Sequence, residues 1–449
     1  MNPTQGKKRD SETLPLQKPQ KANYLTEIIA GLCFFLIVAK LGNPIVLATF
    51  IEPPAGPAEV AVESWPVAWG YPLVLALVVG CLPAFRMQTQ FPWRWVGLPA
   101  AWLAWQLVAA SQSIDSRLTM LTVRHFTGCV VCFYLGLLAL GGNRRLSHFH
   151  TGLMLGLVMA LVMGFAQHFG GLEETRRYFY QQPDWQKFPA EYLKRIASNR
   201  IFGTFVYPNA FAGGILLLLP LSLVRLWEVT NWLTQVTRTV LVGLLAFGGL
   251  AGLYWSGSKA GWLIAVVMGL TFLPRLNLSR AVRLAVAMVV VVAALTGFFV
   301  RFQTYFERGA TSVGARFDYW RVAAQMAARH PVFGTGPGTF SIPYRQNKPK
   351  DAEMAQLAHN DYLEQASDSG VLGAATYGLA VLGSVFILYR KSSHNTAHFA
   401  TWIGLFAWSL QGFVEFSLYT PALAWAFFAL LGWLWAVTSA PEKLAVAPR

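Results

Sequence analysis

TPALAWAFFALLGWLWAVT, residues 420–438, runs nineteen residues without Asp, Glu, Lys or Arg. As a helix it rises about 1.5 Å per residue, close to the roughly 30 Å that a bilayer's hydrocarbon core requires. One such run can be a buried core helix, but this chain repeats it. Candidate spans lie near 25–50, 66–85, 95–111, 121–141, 149–169, 206–226, 237–256, 259–274, 281–299, 370–390, 397–416 and 420–438. Of 449 residues, 55% are hydrophobic and 13% charged, against about 25% charged in an average soluble domain. Backbone groups in lipid must pair within the protein, which leaves helices or a closed barrel. Runs this long and continuously apolar are too long for barrel strands. The expected fold is an all-α polytopic membrane protein with about 12 transmembrane helices. The third span is short. The seventh and eighth read equally as one stretch broken at Ser256-Gly257-Ser258.

Lysines and arginines of short loops set orientation. Residues 1–23 read as a disordered basic tail with Lys7, Lys8, Arg9, Lys18 and Lys21. The even loops hold Arg86 and Arg94; Arg144 and Arg145; Arg225 and Arg238; Arg275, Arg280 and Arg283; and Arg390 and Lys391. The first loop, by contrast, carries only the acids Glu52, Glu59 and Glu63. Both termini are therefore expected in the cytoplasm, with two long loops, about 170–205 and 301–369, facing outward. In the larger loop, Arg316 to Arg329 reads as a helix ending before Pro331, and a second helix starts near Ala358. The N-terminus shows no small-residue cleavage site after a short apolar core, so the first span reads as uncleaved. Cys33, Cys81, Cys129 and Cys132 sit in apolar runs. The Cys129-Cys132 pair lacks polar neighbours and reads as packing.

Five places carry chemistry. His359-Asn360-Asp361-Tyr362-Leu363-Glu364 puts a histidine, two carboxylates and an amide at the end of a polar segment. His359 reads either as a general base for an attacking hydroxyl or as a surface or capping residue. Arg316 precedes Tyr319 and Trp320 at helical spacing, so a guanidinium and aromatic rings share a face suited to phosphate. An interfacial anchor is the plainer reading. In Ser256-Gly257-Ser258-Lys259-Ala260-Gly261-Trp262, a lysine stands among small residues where ionisable groups are costly, either marking a ligand path or snorkelling. Arg200 adds charge near the sixth span, where Pro208 suits a first helical turn and Asn209 can bond sugar or backbone. Gly334-x-Gly336-x-Gly338 follows no strand and is not followed by Lys-Ser or Lys-Thr, so it reads as a turn. Arg124, His125, His168 and Glu415 are further charged or titratable groups within spans. Each either lines a cavity or pairs with a neighbour.

Taken in order, Gly203-Thr204-Phe205 through Pro208-Asn209, Ser258-Lys259-Ala260-Gly261-Trp262, Arg316 with Trp320, His330 through Gly338, His359-Asn360-Asp361-Tyr362-Leu363 and Gly370-Val371-Leu372-Gly373 resemble the O-antigen ligase and polymerase superfamily of membrane glycosyltransferases. The resemblance covers roughly 200–390. It implies a GT-C-like membrane architecture with a periplasmic catalytic loop, 301–369, in a bacterial inner membrane. It divides the chain into the tail 1–23, helices and first long loop over 24–199, the ligase-like domain 200–390 and closing helices over 391–449. It implies a metal-independent, inverting transfer of a glycan from undecaprenyl diphosphate to a hydroxyl. The acceptor is a lipid A-core sugar for ligases and another lipid-linked repeat unit for polymerases. By analogy His359 activates the acceptor and Arg316 holds the diphosphate. Lys259, Arg200, Asn209, Ser258, Trp320, Asn360 and Asp361 are the expected substrate contacts. No cofactor and no nucleic-acid partner is expected. One departure is Lys259, which stands where many members carry arginine and offers charge without the bidentate fork. A second reading, a transporter or flippase of an anionic solute or lipid, draws on the spans and their buried charges. The long outward loops and the lack of an inverted repeat count against it.

Overall fold

The computed structural model describes residues 24–48, 50–86, 91–142, 147–188, 193, 196–307, 311–350 and 352–439. The tail 1–23, Arg144, Arg145 and residues 440–449 lie outside these, so the expectations placed on them are not addressed. Among the described residues the protein is helical, and no strand forms beyond one isolated bridge between Gly42 and Phe205.

Among the described residues, thirteen of the helices frame the molecule: α1 Tyr24–Lys40, α2 Val67–Cys81, α3 Leu98–Ala110, α4 Ser116–Leu138, α5 His148–Ala166, α6 Pro208–Val229, α7 Gln235–Ser256, α8 Lys259–Phe272, α9 Arg280–Glu307, α10 Thr311–Arg329, α11 Asp361–Gly378, α12 Thr396–Gln411 and α13 Pro421–Ser439. Among the described residues, eight segments are long and apolar enough to cross a membrane: those of α2, α4, α5, α6, α7, α9, α11 and α13. The other four expected positions carry shorter helices, α1, α3, α8 and α12, of 17, 13, 14 and 16 residues. α10 lies in the larger long loop, as its sequence predicts.

The core gathers on α13, which is buried along nearly its whole length. α4 lies against it at backbone distance. A Cβ on Gly136 would stand 2.1 Å from the Ala429 carbonyl oxygen, and one on Gly432 would stand 2.0 Å from that of Phe133. Small residues let membrane helices approach this closely, trading side-chain burial for dispersion contact. α9 is the opposite case, with none of its apolar window buried. Its valines and leucines suit lipid contact.

Local sequence sets the breaks that matter to the site. α7 ends at Gly257, whose φ of 59° is left-handed and favours glycine. Ser258 then caps α8, its Oγ accepting from Gly261 N at 3.2 Å. The stretch read as one or two spans is therefore two helices with a sharp turn between them. α6 opens at Pro208, where a missing N–H costs little. The expected span 397–416 is corrected: α12 stops at Gln411, and a link, 412–420, of turns and one short 3-10 helix at Ser417–Tyr419, leads to α13. Gly412 and the polar residues Glu415, Ser417 and Thr420 interrupt the apolar run there. The glycine-rich stretch is a turn. Gly334 has φ of 64°, and a Cβ there would stand 2.2 Å from the Asp368 backbone carbonyl carbon. α10 packs on residues 340–358 through a small core of Tyr319, Val322, Ala323, Met326, Phe340, Tyr344, Ala355 and Ala358. The four cysteines are buried and unbridged.

Candidate active site

Four breaks in regular structure meet at one place: the segment before α6, the turn between α7 and α8, the residues before α11, and the link 412–420. Together with α10 they enclose a cavity of about 580 Å³. Its wall includes Arg200, Asn209, Lys259, Arg316, Trp320 and His359. These six come from segments up to 159 residues apart in sequence, counted from Arg200 to His359. Glu415, Glu353 and Tyr319 also reach it, with Leu263, Phe298 and Val313 as apolar wall.

Glu415 is the hub. It is 4% exposed, and an unpartnered carboxylate at that burial would be costly. Arg316 Nη2 donates to its Oε1. Asn209 Nδ2 donates to the same oxygen at 2.5 Å. His359 Nδ1 lies 3.3 Å from Oε2. Arg316 is fixed further by its Nε, which donates to Val414 O at 3.1 Å. Arg200 joins through Asn209, its Nη2 donating to Oδ1 at 2.6 Å while its Nε donates to Ser256 O at 2.6 Å. The base candidate, the phosphate-type arginine and the amide are thus tied to one acid. Charge-assisted bonds of this kind are the strong ones.

His359 is held under backbone strain. Its φ of 52° is the one positive value at a non-glycine position among the described residues. Such strain persists only where surrounding contacts over-determine it, and it concentrates at functional sites. The contacts here are specific. Phe416 packs edge-on to the imidazole with centroids 4.7 Å apart, and Tyr319 lies 5.6 Å away. Trp320 Nε1 donates to the His359 carbonyl at 3.4 Å. Glu364 Oε2 accepts from Ala358 N at 2.9 Å, pinning the chain just before the histidine. Burial pushes the Tyr344 phenol up to about 12, with Asp318 and Glu353 adding to the rise and Arg321 opposing it. It therefore stays a neutral donor, to Glu353 O at 2.8 Å.

Three expected substrate contacts do not reach the cavity wall. Ser258 spends its hydroxyl on the α8 cap. Asn360 caps α11, its Oδ1 accepting from Tyr362 N at 3.1 Å and Leu363 N at 3.0 Å. Asp361 is fully buried, and its Oδ2 accepts from Leu418 N at 3.1 Å. These side chains bond to the frame around the cavity. Of the remaining titratable groups noted within spans, His125 is buried with Nε2 2.7 Å from Leu418 O. His168 stacks on Trp255 at 3.9 Å. Glu415, which in sequence reads as lining a cavity or pairing with a neighbour and is not among the expected substrate contacts, does both. Glu353 carried no signal. Among the described residues, no group of three or more His, Cys, Asp or Glu converges in a way that could hold a metal ion.

An all-helical membrane protein with a cation-lined cavity and a strained imidazole–carboxylate pair is the class that fold and site define. Residues 244–378 match the family model described as O-antigen ligase. This segment is an O-antigen ligase-family domain, and it lies within the superfamily named above. It contains Lys259, Arg316, Trp320, His359, Asn360 and Asp361. Arg200, Asn209 and Glu415 lie outside it, and only the fold brings them in. The chain is also similar to an uncharacterized protein of Haemophilus influenzae, 27% identical over a stretch covering 31% of this chain. That stretch spans 41% of the relative's length.

Proposed function

We propose that the protein is an inverting glycosyltransferase of the O-antigen ligase type. It moves a glycan from undecaprenyl diphosphate to an acceptor hydroxyl, with a lipid A-core sugar as the acceptor. One observation carries the reading: His359, braced by Glu415, shares a cavity of about 580 Å³ with Arg200, Lys259 and Arg316. A carboxylate on Nδ1 favours the tautomer whose lone pair sits on Nε2, the form a general base needs. In the proposed step the acceptor oxygen attacks the anomeric carbon as its proton passes to His359 Nε2. The bond from that carbon to the diphosphate oxygen breaks, and its electron pair leaves with the diphosphate. Lys259, Arg316 and Arg200 stabilise the charge that develops there, which fixed cations do without reorganising. Attack from the side opposite the leaving group inverts the anomeric centre. Trp320 and Tyr319 offer rings to sugar faces, and Leu263, Phe298 and Val313 offer an apolar approach for the prenyl chain.

The same reading puts the protein in a bacterial inner membrane with about twelve spans in a GT-C-like arrangement. Both termini are cytoplasmic, and the cavity opens at the periplasmic face. Basic residues in the even loops and acids in the first loop support that orientation. The test is glycan transfer in membranes supplied with lipid-linked donor and lipid A-core. Wild type is compared with His359→Ala and Arg316→Ala at matched abundance. Both variants are expected to lose transfer while donor accumulates. Unchanged transfer in either would remove that residue from the step. Chain-extended donor without glycan on the core would make the protein a polymerase.

A further inference from the structure

We infer that Asp361 is a positioning residue whose carboxylate sets the link 412–420 so that Glu415 meets His359. The inference rests on the reading of His359 and Glu415 as the base pair of the site. Asp361 touches the link at two points. Its backbone N–H, a first-turn amide of α11 with no partner inside its own helix, donates to Gly412 O at 2.7 Å. Its Oδ2 accepts from Leu418 N at 3.1 Å. Glu415 lies midway between these anchors, three residues from each. Leu418 is held through its next peptide group as well, its carbonyl 2.7 Å from His125 Nε2. His125 in turn stacks on Trp425 of α13. Tyr362, the next residue of α11, donates its hydroxyl to Ser409 O at 2.9 Å and fixes the end of α12 that feeds the link.

The link needs such a device. Its first amides bond back to α12, Val414 N and Glu415 N both to Gln411 O, and Ser417–Tyr419 makes one short 3-10 turn, which leaves Leu418 N to find its partner in another element, since among buried helices each polar group must find a protein partner. Gly412, which begins it, lets the chain pass close to Asp361: a Cβ there would stand 3.2 Å from Oδ2. The base and the anchor of its acid are two residues apart on one rigid turn. Asn360 caps that turn and Glu364 holds Ala358 on its near side. A displacement of the turn therefore carries His359 and Glu415 together. A loss of the Asp361 bond moves Glu415 alone. Buried and off the cavity wall, Asp361 acts through Glu415 and not on the substrate.

The test uses the full-length protein in membranes and three variants. Asp361→Asn keeps an acceptor within reach of Leu418 N. Asp361→Ser is too short to reach it, and Asp361→Leu has none. Transfer at saturating donor is measured in each, alone and on a Glu415→Gln background. A second readout needs no activity: the pH dependence of His359 modification by diethyl pyrocarbonate, followed at that residue by mass spectrometry. The expected result is a loss of about 100-fold for Ser and Leu, the scale at which small misplacements of reacting groups cost rate. Asn is expected to recover most of it. On the Glu415→Gln background the Ser and Leu changes should cost nothing further, and each alone should move the His359 modification midpoint as Glu415→Gln does. A full additional loss on that background, or a midpoint left at the wild-type pH, overturns the inference. If Leu fails to accumulate, Ser carries the comparison. If wild-type membranes show no transfer, the proposed function fails, while the modification midpoints still decide whether Asp361 governs the His359–Glu415 pair.

Discussion

Glu415→Gln isolates the charge at the centre of the site. The glutamine keeps the shape and one oxygen acceptor but gives up the carboxylate that faces Arg316 and His359. In the proposed step His359 takes the acceptor's proton and becomes cationic, 3.3 Å from Glu415 Oε2. Two unit charges at that separation attract by about 5 kcal/mol at an effective dielectric of about 20. A general base enters that step with a neutral imidazole, so the attraction counts towards the barrier. Arg316 already draws on the same carboxylate through Oε1, which reduces what the imidazolium gains. A remainder of about 2–4 kcal/mol corresponds to roughly 30- to 900-fold in rate at 1.36 kcal/mol per decade. The assay is single-turnover transfer from saturating lipid-linked donor in membranes, with folded abundance matched by fluorescence-detected gel filtration. Donor affinity should change less than the rate, because Lys259 and Arg200 remain. Transfer within threefold of wild type would refute the argument, because it would mean the carboxylate does not stabilise the transition state.

Three further outcomes follow from single contacts. Lys259→Ala should raise the donor KM about tenfold or more by removing one cavity cation, and Lys259→Arg should restore it; a donor titration with an unchanged KM removes Lys259 from the anion site. Asn360→Ala deletes two cap bonds on α11 and should destabilise by about 1 kcal/mol. Thermal unfolding in detergent checks this, and an unshifted midpoint means that the cap is redundant. Gly432→Val would drive a side chain into the Phe133 carbonyl, so the α4–α13 contact should open and folded protein should fall sharply. Recovery of wild-type monodispersity in gel filtration would show that the helices can part without cost.

The fold was legible where hydropathy alone decides it. An apolar run such as 420–438 has one fate in lipid, because its backbone must pair internally. α13, α6 and the α7–α8 break all lie where the sequence puts them. Less legible were the ends of helices inside the protein. The span near 397–416 looks continuous because Phe413, Val414 and Phe416 are as apolar as the helix before them. What stops α12 at Gln411 is tertiary. The Gly412 carbonyl accepts from Asp361 N, and Leu418 N donates to Asp361 Oδ2, both partners lying on α11. Hydropathy averages over such a break because it does not register where a backbone bond goes.

The same blindness hid the acid of the site. Arg200, Lys259, Arg316 and His359 stood out because each is a polar side chain at a loop or helix end, and there their chemistry is visible one residue at a time. Glu415 reads in sequence only as a charge that lines a cavity or pairs with some neighbour, because its partners are distant in the chain: Asn209, Arg316 and His359. A motif records what a residue is. The cost of burying a carboxylate dictates that it has partners without saying which ones. The converse case has the same root. Asn360 and Asp361 adjoin His359 in sequence, whereas a helix start turns successive side chains to different faces. His359 faces the cavity, Asn360 folds back on its own helix, and Asp361 reaches the link behind. Proximity in sequence therefore overstates their share of the cavity wall, and distance in sequence understates that of Glu415. What the fold adds to the sequence is the set of bonds around that carboxylate, spread over 206 residues from Asn209 to Glu415.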